Sequence, residues 1–167
     1  SIVSGTVQLN ASALDAVNFY DGSLTALGIG AGLLLTSGTV PGTTNTVGWY
    51  GADNTVYDVN GSPTNFDNGN ALIDAVVNTV FQTQSYDATT LSFDFTVADS
   101  SATSISFDIV FGSDEYPEWV DQFVDCAVVV VNGVNYALFN HDPNAPLSVV
   151  SPNLAAGYFQ DNANSVL

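Results

Sequence analysis

Neither lysine nor arginine occurs in this 167-residue chain, while aspartate and glutamate together number 17. The resulting formal charge of −17 excludes the usual attraction to nucleic acid or to an anionic membrane surface, and it leaves divalent cations as the natural counter-charge. Without lysine there is no Lys–Asn isopeptide cross-link, and trypsin has no cleavage site. Methionine is also absent, and the single cysteine, Cys126, excludes an intrachain disulfide. It reads as a small hydrophobe packed within a strand; a nucleophile would need an electropositive setting, and His141 is the only histidine. No apolar run reaches the roughly 20 residues that span a bilayer, so a transmembrane chain is not expected. No signal peptide is visible, and a start at Ser1 without methionine reads as a processed, exported chain.

Charge of either sign is also scarce. Only 10% of residues are charged, against roughly 25% in an ordinary soluble domain. Apolar residues make up 46%, and the mean hydropathy is +0.24. Such a surface favours cover by neighbours, which predicts a homo-oligomer or polymer of identical subunits, the alternative being a monomer solvated by its abundant Ser, Thr, Asn and Gly.

The densest run of charge, five of the 17 carboxylates, is Phe111-Gly-Ser-Asp-Glu-Tyr-Pro-Glu-Trp-Val-Asp-Gln-Phe-Val-Asp-Cys126. Asp114, Glu115, Glu118, Asp121 and Asp125 fall there among Tyr116, Trp119 and Phe123. Crowded carboxylates repel and raise one another's pKa unless water and mobile ions screen them or a bound hard cation draws them together, and the cation is the preferred reading. An oxygen-only ligand set favours Ca²⁺ over zinc or copper. Asp114, Glu115 and Asp125 rank first as ligands, then Asp121 and Glu118. A hydrolase built on Asp114, Glu115 and Glu118 is the weaker reading, because no pocket or histidine partner can be inferred.

The run Phe111-Gly-Ser-Asp-Glu-Tyr-Pro-Glu-Trp-Val120 resembles the signature of the bacterial choice-of-anchor L domain. Gly28-Ile-Gly-Ala-Gly-Leu-Leu-Leu-Thr-Ser-Gly38 is similar to that family's early glycine-rich strand. Tyr86-Asp-Ala88 with Leu91-Ser-Phe-Asp-Phe95 is similar to its central strand, and Asp125 to the aspartate after the signature. The resemblance covers about residues 19–165. It implies a secreted or surface-attached protein with no shared enzymatic activity. Family domains continue through further strands after the segment matching Gln160–Asn164, so the C-terminal part of the domain is expected to be missing here. An extended segment from a neighbour could then fill an open groove.

Along the chain, Ile2–Leu9 alternates with Val3, Val7 and Leu9 on one face. It reads as an N-terminal strand over 1–9 and as the candidate donor to a neighbouring subunit. Residues 10–15 suit a short helical turn, and Leu33–Leu35 a fully buried strand. Glycines 28–32 suit tight bends or close strand packing, since no lysine follows that would make a phosphate loop. Residues 40–70 read as a long loop region whose oxygen ligands, Asp53, Asp58 and Asp67 among them, do not match an EF-hand. Trp49, Tyr50 and Tyr57 there, with Trp119, are candidates for stacking on a glycan.

The spacing of Leu72, Ile73, Val76, Val77, Val80 and Phe81 predicts a helix over 70–81, capped by Asp67 or Asn68. Leu91–Val97 and Ser104–Phe111 alternate as strands with their aromatic and branched residues inward. Paired as a hairpin, they would set Asp94 and Asp108 on one face as further metal candidates. Cys126–Val131, Asn132-Gly133 and Val134–Phe139 predict a hairpin with a type I′ turn, its valine run deeply buried. His141 beside Asp142 and Pro143 reads as a loop hydrogen-bonder. Asn10-Ala-Ser12 and Asn60-Gly-Ser62 fit a glycosylation sequon, a short pattern that chance also produces. The expected fold is a single mainly β domain over 1–167, an antiparallel, jelly-roll-like β-sandwich with one packed α-helix. Its expected role is a calcium-stabilised structural subunit of an extracellular or cell-surface filament, sheath or matrix. A surface adhesion or glycan-binding module is the alternative.

Overall fold

The computed structural model of the chain describes residues 1–10, 16–22, 28–37, 69–113 and 115–161. These divide into two compact units, one drawn from residues 1–68 and 86–109 and the other from 69–85 and 110–167. Small antiparallel sheets and few helices make the chain mainly β; each sheet among the described residues has two strands.

In the first unit, β1 (Gln8–Asn10) pairs antiparallel with β4 (Thr90–Ser92), with Leu9 opposite Leu91. The pairing continues through a bridge between Ile2 and Phe95, and the Ser1 and Thr96 backbones exchange hydrogen bonds at 2.7 and 2.8 Å. From Ile2 to Gln8 the chain spends six steps, whereas Phe95 to Ser92 spends three. The surplus is taken up by a turn at Val3–Thr6. Gly5 has φ +81 there, a left-handed angle that glycine adopts without steric cost. Thr6 Oγ1 locks the turn by donating to Val3 O and accepting from Asp94 N, both at 2.9 Å.

The predicted uninterrupted strand over 1–9 is therefore a strand with a bulge. The predicted hairpin between 91–97 and 104–111 does not form: the regular strand stops at Ser92, and its partner is the N-terminal segment. Phe93, Phe95, Val97, Ile105, Phe107 and Ile109, expected inward, are exposed. Alternation alone names a strand's two faces, not the segment that pairs with it.

A second hairpin of this unit joins β2 (Val17–Tyr20) to β3 (Gly32–Leu35), with Phe19 opposite Leu33 and Val17 opposite Leu35. Ala16, Tyr20 and Ala88 are buried in this unit. Leu33 and Leu35, expected to be buried, are 55% and 41% exposed, and Phe19 is 65% exposed. The bends expected from the glycines include Gly28, at φ +70.

The second unit opens with α1 (Ala71–Phe81), whose buried residue is Val77. Its cap is Asn70 rather than Asp67 or Asn68, neither of which lies among the described residues. Asn70 Oδ1 accepts from Leu72 N at 2.9 Å and from Ile73 N at 3.4 Å. Ser85 ties the end of the helical segment back to its start. Its amide and hydroxyl donate to Asp74 Oδ1 at 2.6 and 2.7 Å, and its hydroxyl accepts from Asn70 N at 2.9 Å. The bonds from Ser85, the backbone one foremost, hold the Asp74 carboxyl below the usual carboxylate range.

The Asn132-Gly133 hairpin forms as predicted, between β5 (Val130–Val131) and β6 (Val134–Asn135), with φ +51 and +81 at the two turn residues. Its ladder is shorter than predicted because the Asn135 side chain intrudes, its Oδ1 accepting from Val129 N and Ala137 N at 3.1 Å each. The valine run is half-buried, not deeply buried.

Residues 145–149 then run between two neighbours. Cys126 bridges Ser148 on one side, and Leu138 bridges Pro146 on the other. Behind them lies α2 (Ser151–Ala155), a helix the sequence reading did not anticipate. Asn153, 3% exposed, points its amide at Pro146 O, Ser148 O and Ser148 Oγ at 3.2, 2.9 and 3.2 Å. Ser148 and Val149 are fully buried. The Asn153 amide nitrogen and the Ser148 hydroxyl, which donates to Pro146 O at 2.9 Å, thus find their partners within this unit, as burial requires.

Candidate functional site

Ser113 organises the acidic turn of the second unit. Its hydroxyl donates to Asp125 Oδ2 at 2.6 Å and accepts from Glu115 N at 3.1 Å, which brings the Asp125 carboxylate to the backbone at Glu115. From Glu115 the chain winds through a helix-like turn, with Trp119 N donating to Glu115 O at 2.8 Å and Phe123 N to Trp119 O at 3.2 Å. Tyr116–Pro117 is a cis peptide bond within it. The Tyr116 ring stacks on Phe159 at 5.9 Å, and Phe111 and Phe139 meet the same ring edge-on at 6.2 and 5.9 Å. These aromatic contacts fix the start and the middle of the signature to the C-terminal segment.

Asp121 has a different task from the one its sequence position suggested. Val150, the residue preceding α2, offers no side-chain cap, and Asp121 supplies it from 30 residues away. Its carboxylate accepts from Ser151 N at 2.9 Å and from the Ser151 hydroxyl. An anion at a helix N-terminus is favourable because the free amides there carry partial positive charge. The Ser151 hydroxyl first, and its amide second, hold the Asp121 carboxyl below the usual range. The residue takes φ +66 to reach this position. Only the sequence Ser151-Pro152, with Gly157 at φ +78 beyond the helix, could have signalled α2.

The structure thus brings the Asp125 carboxylate to the Glu115 backbone through Ser113 and commits Asp121 to α2. Glu118 is exposed on the turn. Asp94 and Asp108 lie in the other unit, where no ladder sets them face to face. Asp114 lies outside the described residues. Among those described, no group of three or more histidine, cysteine, aspartate or glutamate side chains is gathered as a metal site.

Of the glycan-stacking candidates, Trp119 is half exposed and meets Phe123 edge-on at 6.0 Å. Trp49, Tyr50 and Tyr57 lie outside the described residues, as do the loop aspartates Asp53, Asp58 and Asp67, the sequon at Asn60 and residues 11–15 of the turn expected at 10–15, whose first residue, Asn10, ends β1. His141 closes a tight turn, Phe139–His141, in which Asn140 and His141 take φ +51 and +59. The Asn140 side chain donates to the Tyr158 hydroxyl.

Cys126 follows directly on the acidic turn and is half-buried. Burial first, and the adjacent Asp125 carboxylate second, push its thiol up to about 11. A rise from 9.0 to about 11 lowers the thiolate fraction near pH 8 about 100-fold. Native chain should therefore react far more slowly with a thiol reagent at pH 8 than urea-unfolded chain. Equal rates would show a reactive cysteine instead.

A family model described as the choice-of-anchor L domain matches residues 2–164. The chain belongs to that family. Membership implies a secreted or cell-surface protein, and domains of this kind are in general non-enzymatic surface modules. No helix among the described residues is long and apolar enough to cross a membrane. No curated protein and no solved structure matches the chain significantly.

Proposed function

We propose that this chain is a non-enzymatic structural subunit of an extracellular or cell-surface assembly, a filament, sheath or matrix, formed by strand addition and apolar contacts between identical copies. The observation that carries this reading is how little apolar surface the isolated chain covers. Among the described residues six apolar side chains are buried, while twenty-two large ones are exposed. Exposed apolar surface on this scale marks contact with other molecules. The segment that would be exchanged is 1–10, which lies along 90–96 of its own chain. The same hydrogen bonds can be made by a neighbour's copy, the geometry of domain swapping. Strands added in this way would widen the two-stranded sheets toward a jelly-roll-like sandwich.

Calcium is proposed as the stabilising ion, with Asp114, Glu115 and Asp125 as first ligands. Two features support it: no positive side chain exists to neutralise the turn, and Ser113 holds Asp125 against the backbone at Glu115. A ligand present at about 100 times its dissociation constant stabilises the folded state by about 2.7 kcal/mol. Adding calcium to EDTA-treated chain should thus raise the melting temperature by roughly 5–10 °C. A melting curve indifferent to calcium and EDTA would remove the ion from the account.

A further inference from the structure

The first unit contains a strand-like sequence to which nothing is paired among the described residues. Residues 103–109, Thr-Ser-Ile-Ser-Phe-Asp-Ile, form neither helix, turn nor ladder. None of their backbone or side-chain groups makes a hydrogen bond. Ile105, Phe107 and Ile109 alternate along it at 59%, 53% and 47% exposure. A row of apolar side chains and a row of free amides and carbonyls in the same stretch leave a bare backbone edge, which a strand added alongside can satisfy on both counts.

We infer that this edge is occupied by the same segment of a second copy, antiparallel and centred on Phe107. This rests on the assembly reading above and names one contact within it. Charge selects the register. Asp108 is the only charged residue between Ser100 and Val110, and no lysine or arginine exists to sit opposite it. Centring the pair on Asp108 would set two carboxylates face to face, which is unfavourable. Centring it on Phe107 sets Asp108 opposite Ser106 on both sides of the two-fold axis, so each carboxylate meets a hydroxyl donor. The same register places Ile105 opposite Ile109 and Phe107 opposite itself, on one face. The segment is self-complementary, as a contact between two identical surfaces related by two-fold symmetry requires.

A single strand pair is a small contact, so the test must capture a weak and concentration-dependent dimer. Directly opposed residues in an antiparallel pair lie about 4.5–5.5 Å apart at Cα, within the span a disulfide closes. In a Cys126→Ser background, Phe107→Cys should give a disulfide-linked dimer under mild oxidation. Asp108→Cys should not, because the two copies of residue 108 lie diagonally, beyond the roughly 7 Å limit for bridging. Adding Ser106→Asp to Phe107→Cys should abolish the dimer by placing carboxylates opposite Asp108. Circular dichroism matching the parent chain confirms that each variant is folded.

Cross-linking through residue 108 would overturn the register. If neither variant cross-links while light scattering still shows assembly, this contact is wrong and the assembly reading stands. If neither cross-links and the chain stays monomeric at every concentration, both readings fall.

Discussion

Replacing Asn153 with leucine is expected to lower stability by about 2–3 kcal/mol, read as the shift in a urea denaturation midpoint. Leucine keeps the branched heavy-atom skeleton of asparagine and is somewhat bulkier, so the loss does not come from a cavity. The loss arises because the Asn153 amide serves Pro146 O, Ser148 O and Ser148 Oγ inside a site that water does not reach. Asn153→Asp should cost more at neutral pH. The donors vanish, and a carboxylate is held against carbonyl oxygens in a chain without lysine or arginine.

The two substitutions differ in their pH dependence. The buried carboxyl of Asn153→Asp has its pKa raised above the roughly 3.9 of an unfolded aspartate. Its penalty is therefore absent below that value, grows as pH rises, and is complete above the folded pKa. The loss in Asn153→Leu should not change with pH over the same range. If Asn153→Asp proves as stable at pH 7 as at pH 4, the buried polar centre described for the second unit is wrong.

The second large effect concerns assembly. Val7 and Leu9 are 56% and 54% exposed on the N-terminal strand. Carboxylates there should leave the far-ultraviolet spectrum and melting temperature of the dispersed chain nearly unchanged, because little packing is lost. Adjacent copies, however, would meet two further negative charges at the exchanged strand, with no cation to offset them. The double variant Val7→Asp with Leu9→Asp should therefore remain dispersed under conditions where the parent chain assembles. Normal assembly of a folded double variant would remove the N-terminal strand from the interface.

What could be read in advance was local. The apolar spacing of Ile73, Val77 and Phe81 names a helix through its own periodicity, and Asn132-Gly133 names its turn through backbone angles that few residues tolerate. The acidic signature likewise stood out as a single run. Pairing was less legible. Residues 91–97 alternate as well with 104–111 as with the N-terminus, and nothing in either pattern states that residues about 85 positions away take the place. The bulge at Gly5 was concealed for a related reason, since a strict two-residue period was assumed across a Ser-Gly pair that turns.

The acidic turn shows the same division between composition and placement. Its carboxylates were countable, but their roles depend on partners supplied by distant segments. Asp121 became the cap of α2 because Ser151 arrives from 30 residues further on, and Asp125 is held by Ser113 across 12. A list of acidic residues cannot separate a cap from a ligand. The aromatic residues behave alike: Tyr116 stands within the signature, yet its stacking partner, Phe159, lies outside it altogether.

The most direct test is the size of the native particle at physiological calcium, measured by light scattering and seen by negative-stain electron microscopy. Extended or multi-subunit particles, reduced toward single chains by EDTA or by the Val7 and Leu9 substitutions, are the predicted result. Well-folded single chains at every concentration, unaltered by calcium, would contradict it.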